Sequence, residues 1–110
     1  MSKALPDITH LQFLVLAALS DGDHVGRELR SLLAAHGVRS SAPAFYQMMG
    51  RLEDASLVDG EYDQRVVGGQ HVKERRYRLT KAGARAVAET QSFYLDRLAA
   101  RRAVRKGSHA

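Results

Sequence analysis

The chain has 110 residues, enough for one domain with a single modest core and too few for two. Its 45% apolar and 26% charged content is ordinary for a soluble globular protein, no apolar run approaches the roughly 20 residues of a membrane span, and there is no cysteine to build a disulfide framework. The net charge of +5 invites a nucleic-acid partner, but it is unevenly placed: residues 1–60 balance to −2, residues 61–80 to +2 and residues 81–110 to +5. Much of the last share is Arg101, Arg102, Arg105 and Lys106, a run that reads as a solvated helix end, where cations also suit the dipole. The N-terminus lacks the charged, apolar and small-residue pattern of a secretory signal, so a cytoplasmic protein is expected.

Residues 1–8 read as an N-terminal arm, and a first helix is predicted over Thr9–Leu19, closed by Asp21-Gly22. Leu11, Leu14 and Leu16 lie among dense apolar neighbours, so this helix is expected at the centre of the core or against a partner. A second helix is predicted from Val25 to His36, with Leu29, Leu32, Leu33 and His36 on its inner face and Gly37 as its left-handed cap. The third helix should start at Ser41, whose hydroxyl can cap it, with Pro43 in the first turn where a missing amide hydrogen costs nothing. Phe45, Met48, Met49, Leu52 and Ala55 then face inward, and Tyr46, Gln47, Gly50, Arg51 and Asp54 face out. A phenol, an amide and a guanidinium on one stripe suit a DNA-reading surface, because amides and arginines match base edges and tyrosine can bond phosphate.

Two strand-like stretches, Val58–Tyr62 and Lys73–Leu79, flank Gly68-Gly69, so the segment between the third and last helices predicts a wing. The expected connection between those strands is longer than a tight hairpin. Arg65, Lys73, Arg75 and Arg76 are spread along it, with Gln70 and His71 near its tip, so phosphate contact is expected there. In Arg75–Gly83 a strand passes directly into a helix, with Arg76, Arg78 and Thr80 on one side, Tyr77 and Leu79 on the other, and Thr80 suited to cap the helix. The last helix should run over residues 81–105, with a loose tail at 106–110. Its apolar side, Val87, Thr90, Tyr94 and Leu98 flanked by Ala86, Phe93 and Ala100, exceeds what so small a core can cover, which points to self-association. Gly83 in its first turn weakens the helix by about 1 kcal/mol relative to alanine and suggests close approach of a neighbouring backbone.

These readings together give a mainly α fold with a small β-wing (α+β): a winged helix-turn-helix over residues 9–80 and a long C-terminal dimerisation helix. In the order and spacing of LQFLVLAAL, Val25-Gly26, FYQMMGRLEDASLV and GGQHVKERRYRLTKAG, the chain resembles the PadR family of winged-helix transcriptional regulators across residues 9–98. The resemblance implies a homodimeric repressor that binds double-stranded DNA, with the first and last helices contributing to the dimer. Tyr46 and Arg51-Leu52-Glu53 match the family's recognition-helix residues, whereas Gln47 replaces its usual proline and Ser56 its usual glycine. The expected DNA-binding set is Ser40, Ser41, Tyr46, Gln47, Arg51, Arg65, Gln70, His71, Lys73 and Arg75. The expected dimer interface is Leu11, Leu14, Val87, Phe93, Tyr94 and Leu98. Some relatives bind flat aromatic effectors at the dimer interface, which makes Phe13, Phe93 and Tyr94 a candidate effector pocket.

No Gly-x-Ser-x-Gly elbow or cysteine offers a nucleophile, and the five histidines show no metal-binding spacing, so neither catalysis nor a cofactor or metal is expected. The competing reading is a winged-helix module for protein interaction without specific DNA binding, because fold does not dictate function and the first half of the chain is acidic.

Overall fold

The computed structural model describes residues 5–107, with side chains described through Ala103. Helix α1 spans His10–Leu19 and is opened by a reciprocal cap: the Thr9 hydroxyl accepts from the Gln12 amide at 3.1 Å, and Gln12 accepts from the Thr9 amide at 2.9 Å. Strand β1, His24–Val25, leads into helix α2, Gly26–Ala35. Val25 has no side-chain acceptor, so the start of α2 is held by Glu28, which accepts from the Val25 amide at 3.1 Å. That bond holds the Glu28 carboxyl below its usual range. Helix α3 spans Ala42–Asp54 with Ser41 as its cap, strands β2 and β3 span Val58–Val67 and Gln70–Leu79, and helix α4 spans Lys81–Gly107.

The three strands form one antiparallel sheet in the order β1-β3-β2. The core is one cluster: Val15, Leu16 and Leu19 of α1, Leu29 and Leu33 of α2, Phe45, Met49 and Leu52 of α3, Val58 and Tyr77 of the sheet, and Val87 of α4. Helix α1 therefore takes a central place, one of the two that its apolar density allows. The base of the wing belongs to the core, and its outer two-thirds extends beyond it. Fully buried Tyr77 ties the two parts together.

Several details differ from expectation. The wing strands run without interruption to Gly68-Gly69, so their connection is a two-residue turn rather than a long loop. Both glycines take positive φ, +58° and +80°, the pair of values a tight right-twisted hairpin requires. The outer strand residues are exposed on both faces, which removes the apolar alternation that would have marked them as strands. Val25 belongs to β1 rather than α2, and His24 pairs with Tyr77 across the sheet edge. Leu32, His36 and Ala55 are exposed, because α2 turns a narrower face inward and His36 and Ala55 fall at helix ends. The last helix continues through Gly107, so Lys106 and Gly107 are helical, and the remainder of the expected tail, 108–110, lies outside the described residues, as do residues 1–4 of the expected arm.

Gly83 and Ser56 carry the joint between the wing and α4. A Cβ on Gly83 would run into the Leu57 carbonyl oxygen and sit 2.7 Å from Leu79 Cδ1. Ser56 is the only non-glycine residue with positive φ, +60°, among the described residues. Gly83→Ala should destabilise the fold by about 2 kcal/mol in urea unfolding, because the obstacle is backbone that cannot yield. Ser56→Gly should raise stability by about 1 kcal/mol in the same assay by relieving the left-handed conformation.

Burial first, and the Glu53 carboxylate second, push the Tyr77 phenol from 10 up to about 12. A raised acid pKa means that the folded state favours the neutral phenol. The stability this represents is complete below about pH 10 and is lost as pH climbs through about 12. In an ultraviolet titration, one of the four tyrosines should ionise last, together with alkaline unfolding, and Tyr77→Phe should abolish that step.

Candidate nucleic-acid interface

The surface is built on the junction of α2, α3 and the wing. The α2–α3 turn is drawn tight where Arg30 Nη2 donates to the Ser40 carbonyl at 3.3 Å. The Ser41 hydroxyl accepts from the Ala44 amide at 3.3 Å, which fixes the first turn of α3. Ser40 and Ser41 thus shape the entry to α3. Beyond them Tyr46, Gln47 and Arg51 stand exposed, and Gly50 is half-buried between them. The Tyr46 ring packs edge-on against buried Phe45, with centroids 5.2 Å apart at 84°, and its outer end rests on Gly26 at the start of α2. A Cβ on Gly26 would lie 2.6 Å from the Tyr46 hydroxyl oxygen and 2.7 Å from Cε1. The glycine is a seat for the phenol.

The hairpin register sorts the wing side chains onto two faces. Tyr62 pairs with Arg75, Gln64 with Lys73 and Val66 with His71 on the face toward α3. Asp63, Arg65, Val67, Gln70, Glu74 and Arg76 alternate to the other face. The expected phosphate contacts are therefore divided. His71, Lys73 and Arg75 share the α3 side, and Arg65 and Gln70 lie opposite.

Their charges are also in different states. Arg65 Nη1 donates to Glu74 Oε2 at 3.3 Å, and Arg27 Nε of α2 donates to the same carboxylate's Oε1 at 3.0 Å. Arg76 Nε donates to Asp63 Oδ2 at 2.6 Å. Arg75 forks onto Glu53 through two bonds, the Nε–Oε2 one at 3.1 Å, and Nη2 also donates to the Gly60 carbonyl at 3.1 Å. The Glu53 bonds hold the Arg75 guanidinium more firmly protonated than usual, against the opposing effect of its burial. Lys73, by contrast, makes no ion pair among the described residues. Its ammonium lies 4.5 Å from the centroid of the Tyr62 ring, and the Arg75 guanidinium lies 4.7 Å from that centroid.

Between α3 and this face of the wing is a cleft of about 500 Å³ lined by Tyr46, Glu53, Tyr62, Lys73, Arg75 and Tyr77, with Glu74 also at its wall. Sequence reasoning misses two features of it, Tyr62 and the seating of Tyr46 on Gly26, and reads Glu53 only as part of the Arg51-Leu52-Glu53 match. The signal for Tyr62 is present, since a two-residue turn at Gly68-Gly69 sets it opposite Arg75.

The expected dimer residues also separate. Val87 is buried in the core of its own chain, because the start of α4 is pulled against Leu57 and Leu79, and Leu11 and Leu14 are half-buried against the same core. Phe93, Tyr94 and Leu98 are 43%, 58% and 58% exposed on the part of α4 that leaves the body of the protein. Of the expected effector pocket, Phe13 and Tyr94 line a cavity of about 80 Å³, whereas Phe93 faces a separate groove with Leu5, Arg85 and Asp96, so the three do not converge within one chain.

A helix pair whose second member is exposed beside a basic β-hairpin, with one long helix after it, is the winged helix-turn-helix of DNA-binding regulators. The sequence profile of the PadR-like transcriptional regulator family matches residues 15–89, and the chain belongs to that family. The fold is similar to that of a PadR family transcriptional regulator from Eggerthella lenta, 28% identical over 83% of this chain and 80% of that one, with a TM-score of 0.62. It is also similar to H. salinarum RosR, at 20% identity, 86% and 80% coverage and a TM-score of 0.68. A PadR family regulator from Clostridium difficile is 16% identical over 87% of this chain and 99% of that one, with a TM-score of 0.68. No curated protein sequence matches the chain. Among the described residues no helix is long and apolar enough to cross a membrane.

The Gly26 seat makes a prediction separable from folding. Gly26→Ala meets only the far end of the Tyr46 side chain, so the protein should fold with an unchanged circular dichroism spectrum while the phenol is displaced. Its DNA affinity should fall as far as that of Tyr46→Ala, and the double variant should lose no more than either alone, the non-additivity expected of residues acting as one unit.

Proposed function

We propose that the protein is a cytoplasmic homodimeric repressor that reads a specific operator. The observation carrying this reading is the exposed Tyr46, Gln47 and Arg51 stripe beside the cleft into which Lys73, free of any ion pair among the described residues, also faces. Ser40 to Arg51 of each protomer enters a major groove, and the two grooves are about one helical turn apart on one side of the duplex. Arg51 and Gln47 contact base edges, Tyr46 and Lys73 hold phosphates, and His71 and Gln70 at the wing tip reach the flanking backbone.

The dimer forms through α4. From Gln91 to Ala103 every residue of this helix is exposed, including Phe93, Tyr94, Leu95 and Leu98. So long an apolar-bearing helix standing clear of its own core is explained most simply by a second copy packing along it, with Leu11 and Leu14 of α1 at the margin. Occupancy of the operator blocks transcription, and a small planar effector held between protomers near Phe93 and Tyr94 releases it by changing their angle.

Fluorescence anisotropy with a duplex selected by the protein from a random library, a scrambled duplex and two salt concentrations tests this. Selective, salt-sensitive binding by two chains per site is expected, and equal weak binding to both duplexes would instead favour the protein-interaction module. Arg51→Ala should lose about 1–3 kcal/mol of base discrimination, and Lys73→Ala should weaken binding to both duplexes while reducing the salt slope by about one.

A further inference from the structure

Glu53 stands at the last turn of α3, in the position where a carboxylate would be expected only to repel DNA. Its geometry gives it another task. Both oxygens take the fork of Arg75, and the two side chains are only 22% and 26% exposed, so water screens the pair weakly. The space for this pair comes from Gly60, directly opposite Tyr77 in the hairpin. A Cβ there would lie 2.6 Å from Glu53 Oε1 and 2.8 Å from Arg75 Nε. Arg75 closes the arrangement by donating to the Gly60 carbonyl at 3.1 Å and lying over the Tyr62 ring on which Lys73 also rests. Four residues from three elements thereby join one end of the recognition helix to the middle of the wing.

We propose that Glu53 is a positioning residue for DNA recognition: through Arg75 and Gly60 it latches the wing to α3 and so sets the distance between Lys73 and the Tyr46–Arg51 stripe. The inference rests on the DNA-binding reading above, and it assigns Arg75 to the latch instead of to a phosphate. Lys73 is the cation the latch presents. The placement of charge fits each residue's chemistry, since a planar guanidinium bonds a carboxylate bidentately and an ammonium on a flexible stem serves as a point charge for phosphate.

The sign of one substitution separates this from simple repulsion. Removing an acid beside DNA should tighten binding to every duplex. If Glu53 is the latch, Glu53→Gln should instead weaken binding to the selected duplex by about tenfold while binding to the scrambled duplex holds or strengthens. Arg75→Ala should give the same selective loss with the salt slope unchanged, whereas a phosphate contact would weaken both duplexes and reduce the slope by about one. The exchanged pair Glu53→Arg with Arg75→Glu should recover most of the selective binding that either single reversal loses.

The absence of cysteine allows a second readout without DNA: spin labels on Ala44→Cys and Gln64→Cys report the spacing of α3 and wing. Their distance distribution should broaden in Glu53→Gln and narrow again in the exchanged pair. Equal or tighter binding of Glu53→Gln to the selected duplex, or an unbroadened distance, would overturn the proposal. If the unsubstituted protein selects no duplex at all, the DNA-binding reading fails and takes the positioning role with it, a failure visible before any substitution is made.

Discussion

Everything in this fold that is arranged for contact hangs from the small knot between the end of α3 and the start of α4. The Thr80 hydroxyl donates to the Ser56 carbonyl at 2.7 Å and accepts from the Gly83 amide at 3.0 Å, and the Thr80 amide donates to the Leu57 carbonyl at 3.2 Å. Gly83 lies directly on that same carbonyl. The recognition helix leaves the knot in one direction, the wing leaves and returns through it, and α4 starts from it. Each bond is worth only about 1 kcal/mol net, but together they fix three directions at once. The left-handed turn at Ser56 is the cost of making the chain reverse in so little space.

The wing shows how a basic segment can hold fewer free charges than its composition suggests. Arg65, Arg75 and Arg76 each face a carboxylate from the wing or from a neighbouring helix. The exposed pairs, such as Arg65 with Glu74, contribute little stability because solvent screens them. Their effect is on orientation: Glu74 holds Arg27 of α2 as well, so the back of the wing is tied to α2 while its front is tied to α3. A hairpin that would be marginal alone is braced from both sides. Among the described residues, the wing cations that make no ion pair are Lys73 and Arg78, and Arg51 of α3 makes none either.

The sequence was legible where a single residue type has a single physical use. Ser41 and Thr80 could be assigned as caps, Gly83 as a close approach and Gly68-Gly69 as a turn, and the structure bears out each of these. The inner face of α3 followed from spacing, and Phe45, Met49 and Leu52 are buried in it. What was not legible depended on pairing. A two-residue strand such as His24–Val25 has no period to detect, and the outer wing, wet on both faces, has no apolar alternation. The role of Arg75 turns on Glu53, 22 residues earlier, and on an empty Cβ position at Gly60, neither of which is visible to a reading that takes each segment separately. Likewise Val87 and Tyr94 look alike along the helix, and only the end of the core near Thr90 divides the buried residue from the exposed one.

That dividing point matters for the dimer proposed above. The last buried residue described in α4 is Thr90, and the stretch 91–103, exposed throughout, would be a marginal helix in water without a partner. Packed along a second copy, it becomes a stiff lever. The 27 residues of α4 rise about 40 Å, so a rotation of about 5° at one end moves the other by about 3.5 Å, close to the axial rise of one nucleotide in a DNA strand. In the dimer proposed above, such a rotation would reach α3 through the hydrogen bonds at Thr80, and a small change between protomers would take two recognition helices out of step with the grooves. The same stiffness that lets a small protein hold a long helix in place would make its grip on DNA sensitive to what sits between the helices.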